Sequence, residues 1–433
     1  TTFAVATVLA SFMGGLALGS WWMGRVADRF RHVHPLRLYA ALEAILAGVA
    51  ILVPVMLRLQ APLYRALSSA LLESYAALSL LRLVLCAIVL LVPTFLMGAT
   101  LPALSRVTER PGASGEAGGP GAERATAGRW IGLLYASNTL GAVLGCAAAG
   151  LWLLPALGLM RTQWLAVVLN LAAAAGALLL APRFRIAGTV AAVGGTAVPG
   201  VTVPPPDRIG SAGAGAPVRV LPIRATPAER LLVAAYAVSG FTAMLYEVAW
   251  SRLLVLVLGS STYSYTIMLA TFLLGLAAGA WIGVRLLKTA RDALLAVGLC
   301  QILVALTTWL SLFLVEELPY AYLLAHDHLQ PSARGLLVVQ WALAAALMLP
   351  PTLGLGAMFP VTVGGLAPQG GRAPRVVGWA YAWNTLGAIG GSIVAGFWLV
   401  PGPGTRITLL AGIALNTLVA IVAVARGARS GAA

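Results

Sequence analysis

The chain carries very little charge for its length. Charged residues make up 9% of its 433 residues, whereas hydrophobic residues make up 60%. The mean hydropathy is +0.92. Because a soluble domain carries about 25% charged residues, this composition excludes an ordinary soluble protein.

Cysteine and histidine are scarce as well. The three cysteines lie inside apolar segments without CxxC spacing, and we interpret them as small buried hydrophobic residues (Cys86, Cys146 and Cys300). The four histidines lie in predicted loops, where the cluster 326–328 (His-Asp-His) is more typical of solvated surface than of a metal site. The sequence shows no recognisable catalytic set of a nucleophile, a general base and a group that orients the base. The sequence therefore predicts no catalytic site, no metal and no cofactor.

Long apolar runs fill most of the chain, and a transmembrane helix needs about 20 such residues. Short polar breaks separate the runs. We predict an all-α polytopic bundle embedded in a lipid bilayer, with about eleven spans. These lie at 1–24, 37–57, 79–104, 130–154, 162–182, 230–250, 262–287, 293–314, 335–361, 377–400 and 406–425.

The basic residues cluster in alternate loops and at the C-terminus. By position, 21 of the 28 lysines and arginines lie on one side of the predicted spans. The positive-inside rule makes that side cytoplasmic, and the pattern does not indicate nucleic-acid binding. We expect a bacterial-type inner-membrane protein with Thr1 outside and with the C-terminus and central segment in the cytoplasm.

Residues 183–229 lack a span and are rich in Gly, Pro, Val and Ala. This composition predicts a flexible cytoplasmic linker between two membrane domains, 1–182 and 230–433. The loop 111–128 has a similar composition. Its glycines do not have the spacing of a phosphate-binding loop.

The two membrane domains repeat each other in sequence. A shift of 260 aligns the first span with 262–287 and pairs Trp21 and Arg25 with Trp281 and Arg285. A shift of 258 aligns "PTFLMGATLP" with "PTLGLGAMFP", and a shift of 246 aligns "NTLGA" at 138–142 with "NTLGA" at 384–388. Three blocks in the same order indicate a tandem duplication.

The second copy is preceded by the span 230–250, which has no counterpart in the first copy. We therefore expect a 6 + 6 architecture whose first helix is absent from this sequence. An even number of spans per copy makes the repeats parallel, as in the two halves of major-facilitator transporters.

The segment "SGFTAMLYEVAWSRLLVLVLGSSTYSYTIMLATFLLGLAAGAWIG" (239–283), together with the repeated "NTLGA", resembles the membrane module of the fused major-facilitator/spermidine-synthase family. The resemblance covers essentially all spans. It implies a polyamine-related role and, in the family, a synthase-like soluble domain after the last helix. No such domain lies within these 433 residues, so aminopropyl transfer is not assigned to them.

Ionisable residues within spans are functional candidates because they are costly in a bilayer. Glu247 either forms an interfacial pair with Arg252, flanked by belt aromatics, or faces a cavity that receives a cation. In the second case Tyr246 or Trp250 offers a π face. Both interpretations remain open.

Glu43 lies about two turns inside its span and aligns with Gln301 of the second copy. This pairing indicates either an asymmetric polar site between the two copies or a Glu that is protonated or bonded within its own helix.

Asn138 and Asn384 fall near the middle of equivalent spans, one turn from Tyr135 and Tyr381. An amide in hydrocarbon needs a partner, so each Asn forms an interhelical hydrogen bond or contacts a substrate. Eight glycines with small-xxx-small spacing are predicted to allow close helix packing: Gly15, Gly19, Gly275, Gly279, Gly141, Gly145, Gly387 and Gly391.

These features favour a transporter-like protein that binds or moves a small solute, for which a cationic, polyamine-like molecule is the candidate. Two alternatives are the membrane half of an aminopropyltransferase-type enzyme with a synthase-like partner domain, and an anchoring subunit of a larger complex.

Overall fold

The computed structural model describes residues 2–30, 32–71, 75–108, 120–183, 226–286, 293–329, 332–366 and 373–430. Within these ranges the chain is helical and contains no strand, which confirms the predicted all-α class. The first five α-helices are α1 (Thr2–Val26), α2 (Pro35–Ala70), α3 (Tyr75–Ser105), α4 (Pro120–Ala148) and α5 (Leu154–Leu180). The other six are α6 (Pro227–Leu258), α7 (Thr262–Leu286), α8 (Ala293–Leu329), α9 (Ala333–Leu366), α10 (Ala373–Val394) and α11 (Thr405–Ser430).

Most of these helices are suited to a membrane. Nine stretches of the described residues are long and apolar enough to cross one, so the chain is an integral membrane protein. One stretch, Gly128–Arg183, covers 56 residues of α4 and α5, which is enough for two crossings. Helix α10 is not among the nine, because Gly, Trp, Tyr and Asn lower its hydropathy. The prediction of eleven spans stays a prediction.

Several helices extend beyond the predicted spans. Helix α2 continues to Ala70 and α8 to Leu329, so His326 and His328 lie in the last turn of a helix rather than in a loop. The reason is that hydropathy marks the edge of the bilayer, whereas a helix can continue into water. Helix α4 starts at Pro120, within the predicted loop 111–128. Most of the predicted linker lies at 184–225, outside the described residues.

The helices of the two copies have matching neighbours. Helix α1 packs on α3 as α7 packs on α9, and α2 packs on α5 as α8 packs on α11. The copies meet through two further pairs, α1 with α10 and α7 with α4.

Individual contacts also recur at equivalent positions. The guanidinium carbon of Arg25 lies 3.8 Å from the Trp21 ring centroid, and that of Arg285 lies 3.2 Å from Trp281. The Gly98 backbone packs against Leu16, as Gly356 packs against Leu276. A π-helical turn follows both α4 and α10, at Ala149–Leu153 and Ala395–Leu399. The packing therefore repeats along with the sequence.

Candidate functional site

Half of the residues of helix α6 are buried, and its ends are well defined. Thr226 and Glu229 form a reciprocal capping box at its start. Gly259 ends it with φ of 83°, a conformation that suits glycine. Helix α6 packs against α9, α10 and α11, so the side chains on several of its faces point into protein.

Glu247 lies on α6 with 8% of its surface exposed. Among the described residues, no hydrogen bond or ion pair holds its carboxylate. Arg252 lies on the same helix and is exposed, and the predicted Glu–Arg pair is not formed. A carboxylate in such surroundings is costly unless a partner compensates it.

Two aromatic residues flank Glu247 on α6: Tyr246 directly precedes it, and Trp250 follows about one turn later. Tyr246 and Trp250 stack with ring centroids 5.3 Å apart and an interplanar angle of 29°. Both side chains are completely buried, which differs from interfacial belt aromatics. The Trp250 Nε1 atom has no hydrogen-bond acceptor within the described part of the chain.

A buried hydrogen-bond chain links α6 to α11. The Thr242 hydroxyl donates to Asn416 Oδ1 at 2.8 Å, and Asn416 Nδ2 donates to the Tyr246 hydroxyl at 2.9 Å. Asn416 was missed in the sequence, although an Asn in an apolar span is the same signal that singled out Asn138 and Asn384. The chain fixes the Tyr246 ring, and with it the stack on Trp250.

Tyr135 and Tyr381, predicted as candidates, meet at a second aromatic cluster. The Phe359 ring of α9 lies 4.2 Å from Tyr135 and 6.3 Å from Tyr381, centroid to centroid. Tyr236 of α6 joins the cluster at 6.2 Å from Phe359. Residues of both copies therefore converge where α4 approaches α9 and α10.

The two candidate asparagines have different surroundings. Asn384 Nδ2 donates to the Tyr236 carbonyl oxygen at 2.8 Å, an interhelical bond from α10 to α6. Asn138 is exposed, and no residue in the described ranges bonds its side chain.

Glu43 and Gln301 lie in different groups of helices. Glu43 is buried on α2 and accepts a hydrogen bond from the Tyr39 hydroxyl, one turn earlier in the same helix. Gln301 is fully buried on α8, and neither its amide oxygen nor its amide nitrogen has a partner among the described residues. Helix α2 packs on α3 and α5, whereas α8 packs on α9 and α11.

The predicted packing glycines also divide into two classes. A β-carbon at six of them would collide with a neighbouring helix: Gly15, Gly19, Gly275, Gly279, Gly387 and Gly391. At the other two, Gly141 and Gly145, a β-carbon would have no atom within 4 Å.

A separate cavity of about 110 Å³ lies between α2 and α5, lined by Arg58, Gln163 and apolar side chains. It contains none of the candidate residues named above.

No family model and no curated protein matches the chain. Among solved structures it is similar to the human organic anion transporter MFSD10 (TETRAN), with 16% sequence identity and a TM-score of 0.42. The similarity covers 98% of this chain and 99% of that chain. At this identity and TM-score, function has to be inferred from the chain's own residues.

Proposed function

We propose that the chain is a transporter-like membrane protein that binds a small organic cation, of the polyamine type, at Glu247. One observation carries the proposal: a buried carboxylate in a membrane helix, without a protein partner among the described residues, on the same stretch of helix as two stacked aromatic rings.

The charge of the site favours a cation as its ligand. An ammonium group beside Glu247 neutralises the carboxylate, which the described residues leave uncompensated. It also meets the faces or edges of Tyr246 and Trp250, and a desolvated cation–π contact is worth about 2 kcal/mol. The methylene groups of an alkylamine suit the apolar surroundings of α6.

The repeated architecture supports a transport role. Parallel repeats place solute sites near the middle of the membrane, where the two halves meet. The two halves are in contact through the helix pairs α1–α10 and α4–α7. The aromatic cluster around Phe359 contains residues from both halves. On this proposal the domains are 1–182 and 230–433, and the basic loops face the cytoplasm of a bacterial-type cell.

Other candidate residues keep separate roles in the proposal. Gln301 is a second polar contact for solute, because its buried amide has no described partner. Tyr135 and Tyr381 line the contact between the halves. Glu43 is held by Tyr39 and is assigned no contact with solute.

The test is equilibrium binding of radiolabelled spermidine to the purified protein in detergent or nanodiscs. Glu247→Gln keeps the shape of the side chain and removes its charge, so we expect affinity to fall at least tenfold. Glu316→Gln is the matched control, because Glu316 is an exposed carboxylate paired with Arg406 at 3.3 Å. Equal affinity in the wild type and Glu247→Gln would contradict the proposal.

The resemblance of 239–283 supports a second candidate, the membrane half of an aminopropyltransferase-type enzyme. Aminopropyl transfer by the protein produced from its complete gene would favour that candidate. Spermidine binding that depends on Glu247, without such activity, would favour transport.

A further inference from the structure

The cavity between α2 and α5 lies where a proline interrupts the hydrogen bonding of α2. Pro54 has no N–H group, so the carbonyl oxygen of Ala50 lacks its usual donor within the helix. The amide nitrogen of Gln163 on α5 donates to that oxygen instead. Pro54 and Gln163 both line the cavity, whose volume is about 110 Å³. A single water molecule needs only about 10–15 Å³ of such space, so the cavity has room for a larger group.

Arg58 is the charged residue that lines this cavity. It follows Pro54 by four residues, so both side chains lie on the same face of α2. No hydrogen bond or ion pair joins its guanidinium to another residue in the described part of the chain. The neighbouring parts of α2, α3 and α5 contain no aspartate or glutamate, over 44–71, 75–105 and 149–182. These helices therefore offer Arg58 no carboxylate.

The equivalent place in the second copy, between α8 and α11, holds an ion pair. Glu316 corresponds to Arg58 at the offset of 258 that aligns α2 with α8. Arg406 corresponds to Met160, which lines the cavity, at the offset of 246 that aligns α5 with α11. The Arg406 Nη1 atom lies 3.3 Å from Glu316 Oε1. An arginine in this place thus has a carboxylate partner in one copy and no described partner in the other.

The geometry of α5 and α11 supports the offset of 246. Gly158 and Gly404 both have positive φ, at 74° and 94°. The hydroxyls of Thr162 and Thr408 each donate to the carbonyl of that glycine at 2.8 Å. Met160 and Arg406 therefore occupy the same position on equivalent helices.

The packing of α2 and α8 supports the offset of 258. Leu46 of α2 lies in one hydrophobic cluster with Leu96 of α3. At the same offset, Val304 of α8 packs against Gly354 of α9. The comparison of Arg58 with its equivalent on α8 therefore holds in three dimensions as well as in sequence.

The cavity lies at the edge of the membrane and opens towards lipid. Arg37 and Arg58 are 21 residues apart in α2. At 1.5 Å per residue this is about 32 Å, close to the hydrocarbon thickness of about 30 Å. Arg58 is thus at the level where the phosphates of lipid headgroups begin. Val55 and Trp164, which line the cavity, are 51% and 53% exposed on the outside of the helix pair.

We propose that this cavity binds the phosphate of an anionic membrane phospholipid, with Arg58 as the counter-charge. A guanidinium presents its N–H donors in a planar fork that matches two phosphate oxygens. The amide of Gln163 is held at the cavity wall by its bond to α2, and an acyl chain lies along Ile51, Val55 and Trp164. Basic pockets between membrane helices bind lipid headgroups in this way.

The same surroundings select among phospholipids. The cation of an ethanolamine or choline headgroup finds no carboxylate on the neighbouring helices, whereas a phosphatidylglycerol headgroup needs none. The lipid site is also separate from Glu247, so this proposal does not depend on the binding of a cation there.

The test is native mass spectrometry of the purified, delipidated protein, titrated with phosphatidylglycerol in detergent. Arg58→Gln keeps a polar side chain and removes the charge, so we expect affinity to fall about tenfold. Arg65→Gln is the matched control, because Arg65 is exposed on the same helix and its side chain bonds the Ala61 carbonyl. We expect it to change affinity by less than about twofold.

A second variant places a carboxylate beside Arg58. Met160→Glu builds the ion pair of the second copy into the first, with the two charges exchanged. We expect it to weaken lipid binding as much as Arg58→Gln does, without lowering the Tm. Leu159→Glu is its control, because Leu159 is the preceding residue, is 66% exposed and does not line the cavity. We expect this control to bind lipid like the wild type.

Equal affinity of the wild type, Arg58→Gln and Met160→Glu would overturn the proposal. Phosphatidylcholine that binds as tightly as phosphatidylglycerol would overturn it as well. Displacement of the lipid by inorganic phosphate at equal concentration would show that the site takes a soluble anion instead.

Discussion

Asn416 is the residue on which the shape of the candidate site depends most. Its amide joins Thr242 and Tyr246, and all three side chains are buried. Asn416→Ala removes two interhelical hydrogen bonds, and it leaves the Thr242 hydroxyl only the Ser239 carbonyl of its own helix. We expect the free energy of unfolding to fall by about 1–3 kcal/mol, measured by thermal or denaturant unfolding in detergent.

Thr417→Ala is the control for this change. Thr417 is the next residue of α11, is exposed, and bonds only the Ile413 carbonyl of its own helix. We expect it to change stability by less than about 0.5 kcal/mol. Equal effects of the two substitutions would contradict the role given to the Asn416 chain.

Single residues also show what a sequence can predict of the site. The polarity of Glu247 and Asn384 is enough to single them out in apolar spans. Their surroundings are not predictable in the same way: Asn384 and Asn138 share the motif "NTLGA", yet Asn384 bonds the α6 backbone whereas Asn138 is exposed. The expected pairing of Glu247 with Arg252 is not formed, because residues five apart in one helix lie about 140° apart around its axis.

At the scale of the helices, two equivalent contacts hold α1 against α3 and α7 against α9. Gly15 of α1 packs against Thr94 of α3, and Gly275 of α7 packs against Thr352 of α9. Valine at either glycine forces these helices apart. We expect Gly15→Val and Gly275→Val each to cost about 1–3 kcal/mol of stability, measured by unfolding in detergent.

Gly14→Val tests whether this cost comes from packing. Gly14 precedes Gly15 in α1, and a β-carbon there would have no atom within 4 Å. We expect Gly14→Val to have an effect near zero. A loss as large as that of Gly15→Val would show that the contact with Thr94 does not explain the cost, because valine has a higher helix propensity than glycine.

The existence and order of the helices were predictable from apolar runs of about 20 residues, but their ends were not. Helix α2 continues to Ala70, and α4 begins at Pro120, because hydropathy records where lipid ends and not where backbone hydrogen bonding ends. Conversely, α10 is a helix of low hydropathy because it contains Gly, Trp, Tyr and Asn, and its Gly387 and Gly391 pack closely against α6.

At the scale of the whole molecule, the repeat is visible both in the sequence and in the contacts between helices. The sequence alignment predicts which helices are equivalent, and the helix pairs α1–α3 and α7–α9 have equivalent contacts. The sequence did not predict which faces meet between the copies, because such contacts join residues far apart in the chain, as Tyr135 and Phe359 do.

The binding of a cation by Glu247 is the central claim for the whole molecule. The most direct measurement is photoaffinity labelling with a spermidine analogue that carries a diazirine, followed by peptide mapping. We predict saturable labelling of α6 around Tyr246–Trp250, displaced by unlabelled spermidine and abolished in Glu247→Gln. Labelling that spermidine does not displace, or that maps to the exposed carboxylates Glu316 and Glu317 on α8, would contradict the claim.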